Sequence, residues 1–141
     1  MSQEQEPIKR IGFESWREFE QALKGDDREY YMAKFEVETI RDQINSFERL
    51  HKKNKITNAV GYLAIAGASG ASFVNYLTDN YILTVLTACF VALNIHFNVK
   101  LHNSYEMLKN GLKRSCGYIL KQHKEHIDED LKQKINWVYN L

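Results

Sequence analysis

The apolar positions of this chain change rhythm twice. Early on they recur at alternating steps of four and three, as Ala33, Val37, Ile40, Ile44 and Phe47. That spacing sets them on one stripe and predicts a helix from about Asp27 to Leu50, with no breaker before the chain turns apolar. From Ile56 to Val99 the pattern changes, and 44 residues carry one formal charge, Asp79. After it, Leu101, Tyr105, Leu108, Leu112 and Ile119 resume the four-three rhythm, with Ser115 in the intervening place.

The bare stretch divides at Thr78-Asp79-Asn80, a polar tripeptide suited to a tight turn. Ile56 to Leu77 gives 22 uncharged residues, and Tyr81 to Val99 gives 19, His96 among them. A bilayer core needs roughly 20 apolar residues in a helix, so each segment can span it. The short turn makes the pair an antiparallel hairpin. The soluble alternative is a buried helical hairpin inside a bundle, but buried soluble helices usually keep one charged face. The flanks favour the membrane. His51, Lys52, Lys53 and Lys55 precede the first span, Lys100, His102 and Lys109 follow the second, and the turn has only Asp79. The positive-inside bias then puts both termini in the cytoplasm, with Tyr76 and Tyr81 at the far interface.

Two shorter elements flank the long ones. Trp16, Phe19 and Leu23 form an amphipathic turn or two, closed by Gly25 and a capping Asp26-Asp27. Ile127, Leu131, Ile135 and Val138 mark a final helix, following a weak point at Gly117. Either piece can pack on the long pair to give a four-helix bundle, or lie on the membrane surface. The expectation is an all-α protein, a transmembrane helical hairpin extended into a cytoplasmic antiparallel coiled coil or helical bundle. Its parts are N-terminal cytoplasmic helices (1–55), a two-span hairpin (56–99, turn at 78–80) and C-terminal cytoplasmic helices (100–141). Val37, Ile40, Ile44, Phe47, Leu101, Tyr105, Leu108 and Leu112 would form the coiled-coil seam.

Bulk composition hides this segregation. With 44% hydrophobic and 26% charged residues and a net charge of +1, the averages are those of an ordinary globular chain. Yet 36 of the 37 charged residues sit in the 97 positions outside the bare stretch. Near-neutrality offers no global attraction for nucleic acid, and none is expected as a partner. Residues 1–50 carry a net −4 and residues 100–141 a net +3, which favours their association or leaves two solvated faces. Cys89 and Cys116 lack a CxxC partner, so neither a zinc site nor a disulfide framework is expected. Pro7 is the one proline, and the first 55 residues hold no apolar run long enough for a secretory signal.

Neither span is apolar throughout. Gly61, Ala64, Gly67, Ala68 and Ala71 are small enough to let another helix approach closely. Asn58, Tyr62, Ser69 and Ser72 make a polar stripe on the first span, and Thr84, Thr87, Asn94 and Asn98 one on the second, with Val91 between. Such stripes either pack within the hairpin or between copies, or line a water-filled path in an oligomer. His96, one turn from the boundary, reads as an interfacial residue or a pH-sensitive gate. The nearest approach to a metal site is His123-Lys124-Glu125-His126 before Asp128, Glu129 and Asp130. Its histidines are three apart, whereas the familiar zinc helix spaces them four apart, so a solvated polar face is expected. With no nucleophile elbow or phosphate-binding glycine loop, no enzyme and no cofactor are expected.

A basic stretch, Glu48-Arg49-Leu50-His51-Lys52-Lys53-Asn54-Lys55, leads into the small-residue span Val60-Gly61-Tyr62-Leu63-Ala64-Ile65-Ala66-Gly67-Ala68. A short turn, a second span and a further helix follow. Over roughly Tyr30 to Ile119 this architecture resembles the SLATT group of bacterial two-span helical proteins. The resemblance implies an oligomeric membrane effector of the bacterial inner membrane, in antiviral defence, that forms a pore or disrupts the bilayer when a separate sensor protein activates it. The alternative is a non-conducting, membrane-anchored scaffold or accessory subunit that docks a soluble partner through its helical bundle.

Overall fold

The computed structural model describes residues 5–141 and is all-helical among them. Five α-helices follow in order: α1 (Gln5–Arg10), α2 (Trp16–Ala22), α3 (Arg28–Leu77), α4 (Tyr81–Gln122) and α5 (Glu129–Tyr139). A single 3-10 turn, Lys124–His126, lies between α4 and α5. The chain forms two compact units, one of the described residues up to Glu48 with Lys109–Leu141, the other Arg49–Leu108.

Helix boundaries follow local chemistry. α1 stops at Gly12, whose φ of 100° suits glycine, with Gly12 N–H donating to Lys9 O and Phe13 N–H to Ile8 O. Ser15, in extended backbone, caps α2 by accepting from Glu18 N–H at 3.3 Å, while the Glu18 carboxylate accepts from Glu14 N–H at 3.0 Å. Asp27 occupies the N-cap position of α3, its carbonyl accepting from Tyr31 N–H at 3.1 Å. α5 starts from Asp128, whose side chain accepts from Leu131 N–H at 2.8 Å. Gly117 does not weaken α4, which continues to Gln122. A Cβ there would lie 3.1 Å from the Tyr139 hydroxyl, so this glycine lets α5 approach α4 closely.

The charged unit has a continuous apolar core. Val37, Ile40, Ile44 and Phe47 of α3 are buried as the four-three rhythm requires, with Leu112 and Ile119 of α4. Leu131, Ile135 and Val138 of α5 join them, as do Ile8, Phe19 and Ile127. Cys116 is fully buried here although its sequence neighbourhood is polar. One expectation is corrected in the other unit: Leu108, expected on the coiled-coil seam, is 52% exposed. In the charged unit the buried face of α4 runs Leu112, Cys116, Ile119, and Ser115 is only half-buried. Phe13, Trp16, Phe19, Tyr31 and Phe35 extend this core as ring contacts with centroids 5.1–5.7 Å apart.

Ion pairs ring the core, and their polarity is not what net charge alone suggests. Arg41, from the acidic N-terminal part, reaches Asp128 at 2.6 Å and Asp130 at 2.7 Å in the basic C-terminal part. Arg41 also holds Glu38 at 3.2 Å, and Arg10 bridges Glu38 at 2.7 Å and Asp42 at 2.5 Å. Burial opposes the Arg41 charge, but the bond to Asp128 and the field of Glu38 outweigh it and raise its pKa. The Leu131 N–H, against partial burial and with Arg41 assisting, lowers the Asp128 pKa. His123 and Glu36 (2.9 Å) meet in the expected sense, while Lys134 donates to the neutral Asn45 amide oxygen at 3.1 Å.

Candidate functional site

The unit of residues 49–108 is where distribution and geometry are unusual. α3 ends in a tight cap: Asp79 adopts φ 57°, Asp79 N–H donates to Tyr76 O and Asn80 N–H to Asn75 O. Asn80 then opens α4, its side-chain oxygen accepting from Leu83 N–H at 3.4 Å and its carbonyl from Thr84 N–H at 3.0 Å. The tripeptide at 78–80 therefore closes one helix and caps the next. Between them the helices pair antiparallel. His51 Nδ1 hydrogen-bonds the Tyr105 hydroxyl, Gly61 packs on Asn98, and Ser72 Oγ donates to Thr84 O at 3.4 Å.

That register gives each span residue a side. On α3 the half-buried positions are His51, Asn54, Asn58, Gly61, Ala64, Ile65, Ala68, Ser72 and Asn75. On α4 they are Thr84, Thr87, Val91, Asn94, Asn98, Leu101 and Tyr105 in an unbroken four-three rhythm, with Glu106 beside the last. The stripe of α4, Thr84, Thr87, Asn94 and Asn98, thus lies along the helix–helix seam, and with it Asn58 and Ser72 of the stripe on α3. Tyr62 and Ser69 are the exceptions, exposed beside it.

The seam's polar groups are mostly satisfied on their own helix. Asn94 Nδ2 donates to Phe90 O at 2.9 Å and Asn98 Nδ2 to Asn94 O at 2.8 Å. Thr84 Oγ1 donates to Asn80 O at 3.0 Å, and Thr87 Oγ1 to Leu83 O at 2.8 Å. Bonding back to the preceding turn removes the cost of an unpaired polar group in an apolar medium. An open groove of about 430 Å³ lies near the turn, edged by Ser69, Ser72, Phe73, Tyr76, Thr84, Ala88 and Val91.

Outward faces are the reverse. Leu63 is 74% exposed and Ile82 76%, and Ile56, Val60, Phe73, Val74, Val85, Leu86, Leu93 and Phe97 are each more than half exposed. Two helices are long and apolar enough to cross a membrane, and no part of either apolar window is buried. Exposed apolar residues over both helices in such number mark a surface that meets a partner or a lipid phase.

The small residues divide between the two sides. Gly61, Ala64 and Ala68 lie on the seam, whereas Gly67 and Ala71 are exposed. A Cβ added at Gly67 or Gly70 would meet nothing within 4 Å. The i, i+4 pairs Gly67 with Ala71 and Ala66 with Gly70 therefore form a shallow, unfilled strip on the outside of α3.

At the basic end, burial and the nearby Lys55 lower the His51 pKa. In the charged unit a second hollow, about 430 Å³, has an apolar floor of Phe35, Ile40, Tyr118 and Ile119. Glu36 and Arg114 stand at its margin with Thr39 and Ser115. The histidines at 123 and 126 are engaged separately, His123 by Glu36 and His126 by the Tyr30 ring at 5.4 Å. Among the described residues no group of three His, Cys, Asp or Glu side chains is placed to hold a metal ion.

Which side of each span faces the other is the feature sequence reasoning left open. The half-buried Asn54 and Asn75 also belong to the seam, where both continue the line of Asn58 at helical spacing, the signal that marks them in the sequence. No family model, curated protein or solved structure matches this chain.

Proposed function

We propose that this chain is a two-span integral membrane protein whose hairpin anchors a helical docking body for a soluble partner, without itself conducting. The observation that supports this best is the inverted distribution in residues 49–108: side chains such as Asn94 and Asn98 are turned to the seam and Leu63 and Ile82 to the outside. Such a surface suits lipid, and the charges at 49–55 and at Lys100 suit a cytoplasmic end. On this reading the protein resides in the bacterial inner membrane with both termini cytoplasmic. The outer strip at Gly67 and Ala71 supports homo-oligomerisation by close helix approach. The apolar hollow edged by Glu36 and Arg114 is a suitable seat for a partner segment.

A second reading, the SLATT-like effector, is favoured by one observation. Thr84, Thr87, Asn94 and Asn98 all donate to carbonyls of their own helix, so the hairpin could open in an oligomer without leaving these donors unpaired. A sensor partner would trigger that opening, and the freed stripes would line a pore or disturb the bilayer in antiviral defence. Recording membrane potential while the protein is induced separates the two readings. A stable potential under every activating condition supports the docking role. Depolarisation that disappears in Asn94→Leu/Asn98→Leu, with assembly unchanged, overturns it in favour of the pore.

A further inference from the structure

The geometry points to a binding site for the phosphodiester headgroup of an anionic phospholipid on the outer face of α4, around His96, Lys100, Asn103 and Ser104. This inference rests on the membrane reading above. These residues edge a hollow of about 370 Å³, together with Val99 and Met107. Its polar rim consists of an ammonium, an imidazole, an amide and a hydroxyl, each able to donate a hydrogen bond, and no carboxylate lines it. All four polar residues are exposed, on the side of α4 away from the Asn94–Asn98–Leu101 seam.

Position favours a lipid over a soluble anion. Phe97 and Val99, both more than half exposed, bring the apolar belt to the edge of the hollow, and the donors continue beyond it. A phosphodiester at this level could meet Lys100, Asn103 and Ser104 while its acyl chains lie along Ile95, Val99 and the belt below. The surrounding charge has the matching sign. Arg49, Lys52, Lys53 and Lys55 are exposed at the same end of the unit, where Glu106 is the one carboxylate between residues 99 and 108. At the turn the only formal charge is Asp79, so the attraction is confined to one leaflet.

The test is native mass spectrometry of the full-length protein from vesicles of phosphatidylcholine with phosphatidylglycerol, counting each lipid retained per chain. Phosphatidylglycerol should be retained preferentially, and Lys100→Gln should lower that preference about fivefold, as for loss of one juxtamembrane cation. Asn103→Leu should lower it as well, whereas Lys53→Gln, on the other helix, should have a smaller effect. Equal losses for Lys53→Gln and Lys100→Gln would mean a diffuse basic collar and overturn the site. Competition by soluble glycerophosphoglycerol at low concentration would identify a free-phosphodiester site and also overturn it. Carbonate extraction of the same membranes keeps the two readings apart. Chain that resists extraction but shows no lipid preference refutes this site alone, and chain that is extracted refutes the membrane reading with it.

Discussion

Gly61 and Asn98 meet across the hairpin so closely that a Cβ on Gly61 would lie 2.7 Å from Asn98 Oδ1 and 2.8 Å from Nδ2. The amide cannot swing away freely, because Nδ2 is held by Asn94 O at 2.8 Å. A glycine on one helix thereby makes room for an asparagine on the other, and the pair fixes the register of the seam. The same relation separates Gly61 from Gly67 and Gly70 of the same helix, where an added Cβ would meet nothing within 4 Å.

Gly61→Ala should destabilise the hairpin by about 1–3 kcal/mol through overpacking. Gly67→Ala, where a Cβ meets nothing within 4 Å, should be stabilising by about 0.5–1 kcal/mol within a single chain, through helix propensity. Unfolding of the purified protein in mixed micelles measures both. Adding Asn98→Ala to Gly61→Ala should recover much of the loss, a coupling of the kind that neighbouring residues show in a double-mutant cycle.

Leu86→Lys places a charge on the outward face near the middle of the second span. If lipid surrounds that face, membrane integration should be penalised by roughly 2.5–3.5 kcal/mol at a helix centre. On an exposed surface in water the same change would be close to neutral. The extracted fraction in alkaline carbonate distinguishes these outcomes, and no increase over wild type would count against a lipid-facing belt.

Asp79 holds φ 57° at the end of α3, a conformation that glycine adopts without a Cβ penalty. Its carboxylate accepts a bond from the Tyr81 hydroxyl at 3.1 Å, at an exposed site. Relief of backbone strain should win, and Asp79→Gly should stabilise the turn by a few tenths to about 1 kcal/mol. Thermal unfolding of the variant beside Asp79→Ala, which retains the strain, isolates the backbone contribution.

Asp128 caps α5 and also meets Arg41 at 2.6 Å. Its pKa is lowered in the fold, first by the Leu131 N–H, so its charge contributes stability that is complete above the unfolded carboxylate range. That contribution is lost as pH falls through the folded value, in the acid range below about 4. Asp128→Asn preserves a capping oxygen and should flatten this part of the pH–stability profile. Asp128→Ala should further lose about 0.5–2 kcal/mol at neutral pH through the missing cap. Chemical denaturation between acid and neutral pH reads both effects.

Cys116 is fully buried, and burial pushes its thiol pKa up to about 11. Since the thiolate is the reacting species, alkylation at pH 8 should be slower than for an unperturbed thiol by roughly a hundredfold or more. Cys89 is exposed on the apolar belt, so Cys89→Ala is the background in which to measure it. Rapid modification of Cys116 in the native protein would contradict the core placement.

Much of the architecture was written along the chain. The interval from Ile56 to Val99 with a single charge, and the four-three spacing of Val37, Ile40, Ile44 and Phe47, are local patterns that helical geometry converts directly into long helices and a buried stripe. Thr78-Asp79-Asn80 likewise carries its own turn chemistry, since a helix end depends on the few residues that satisfy its orphan backbone groups. What the sequence alone left undetermined was direction. Thr84, Thr87, Asn94 and Asn98 share a face by periodicity, but only the pairing of Gly61 with Asn98 and Ser72 with Thr84 turns that face inward to the seam. Burial of Cys116 was also decided in three dimensions, by the arrangement of α3, α4 and α5 around one core. Arg41 chose Asp128 and Asp130 because the fold put them within 2.7 Å, whatever the net charges of their segments. Periodicity is a property of one helix; burial and partnership belong to two, and depend on contacts between residues far apart in the chain.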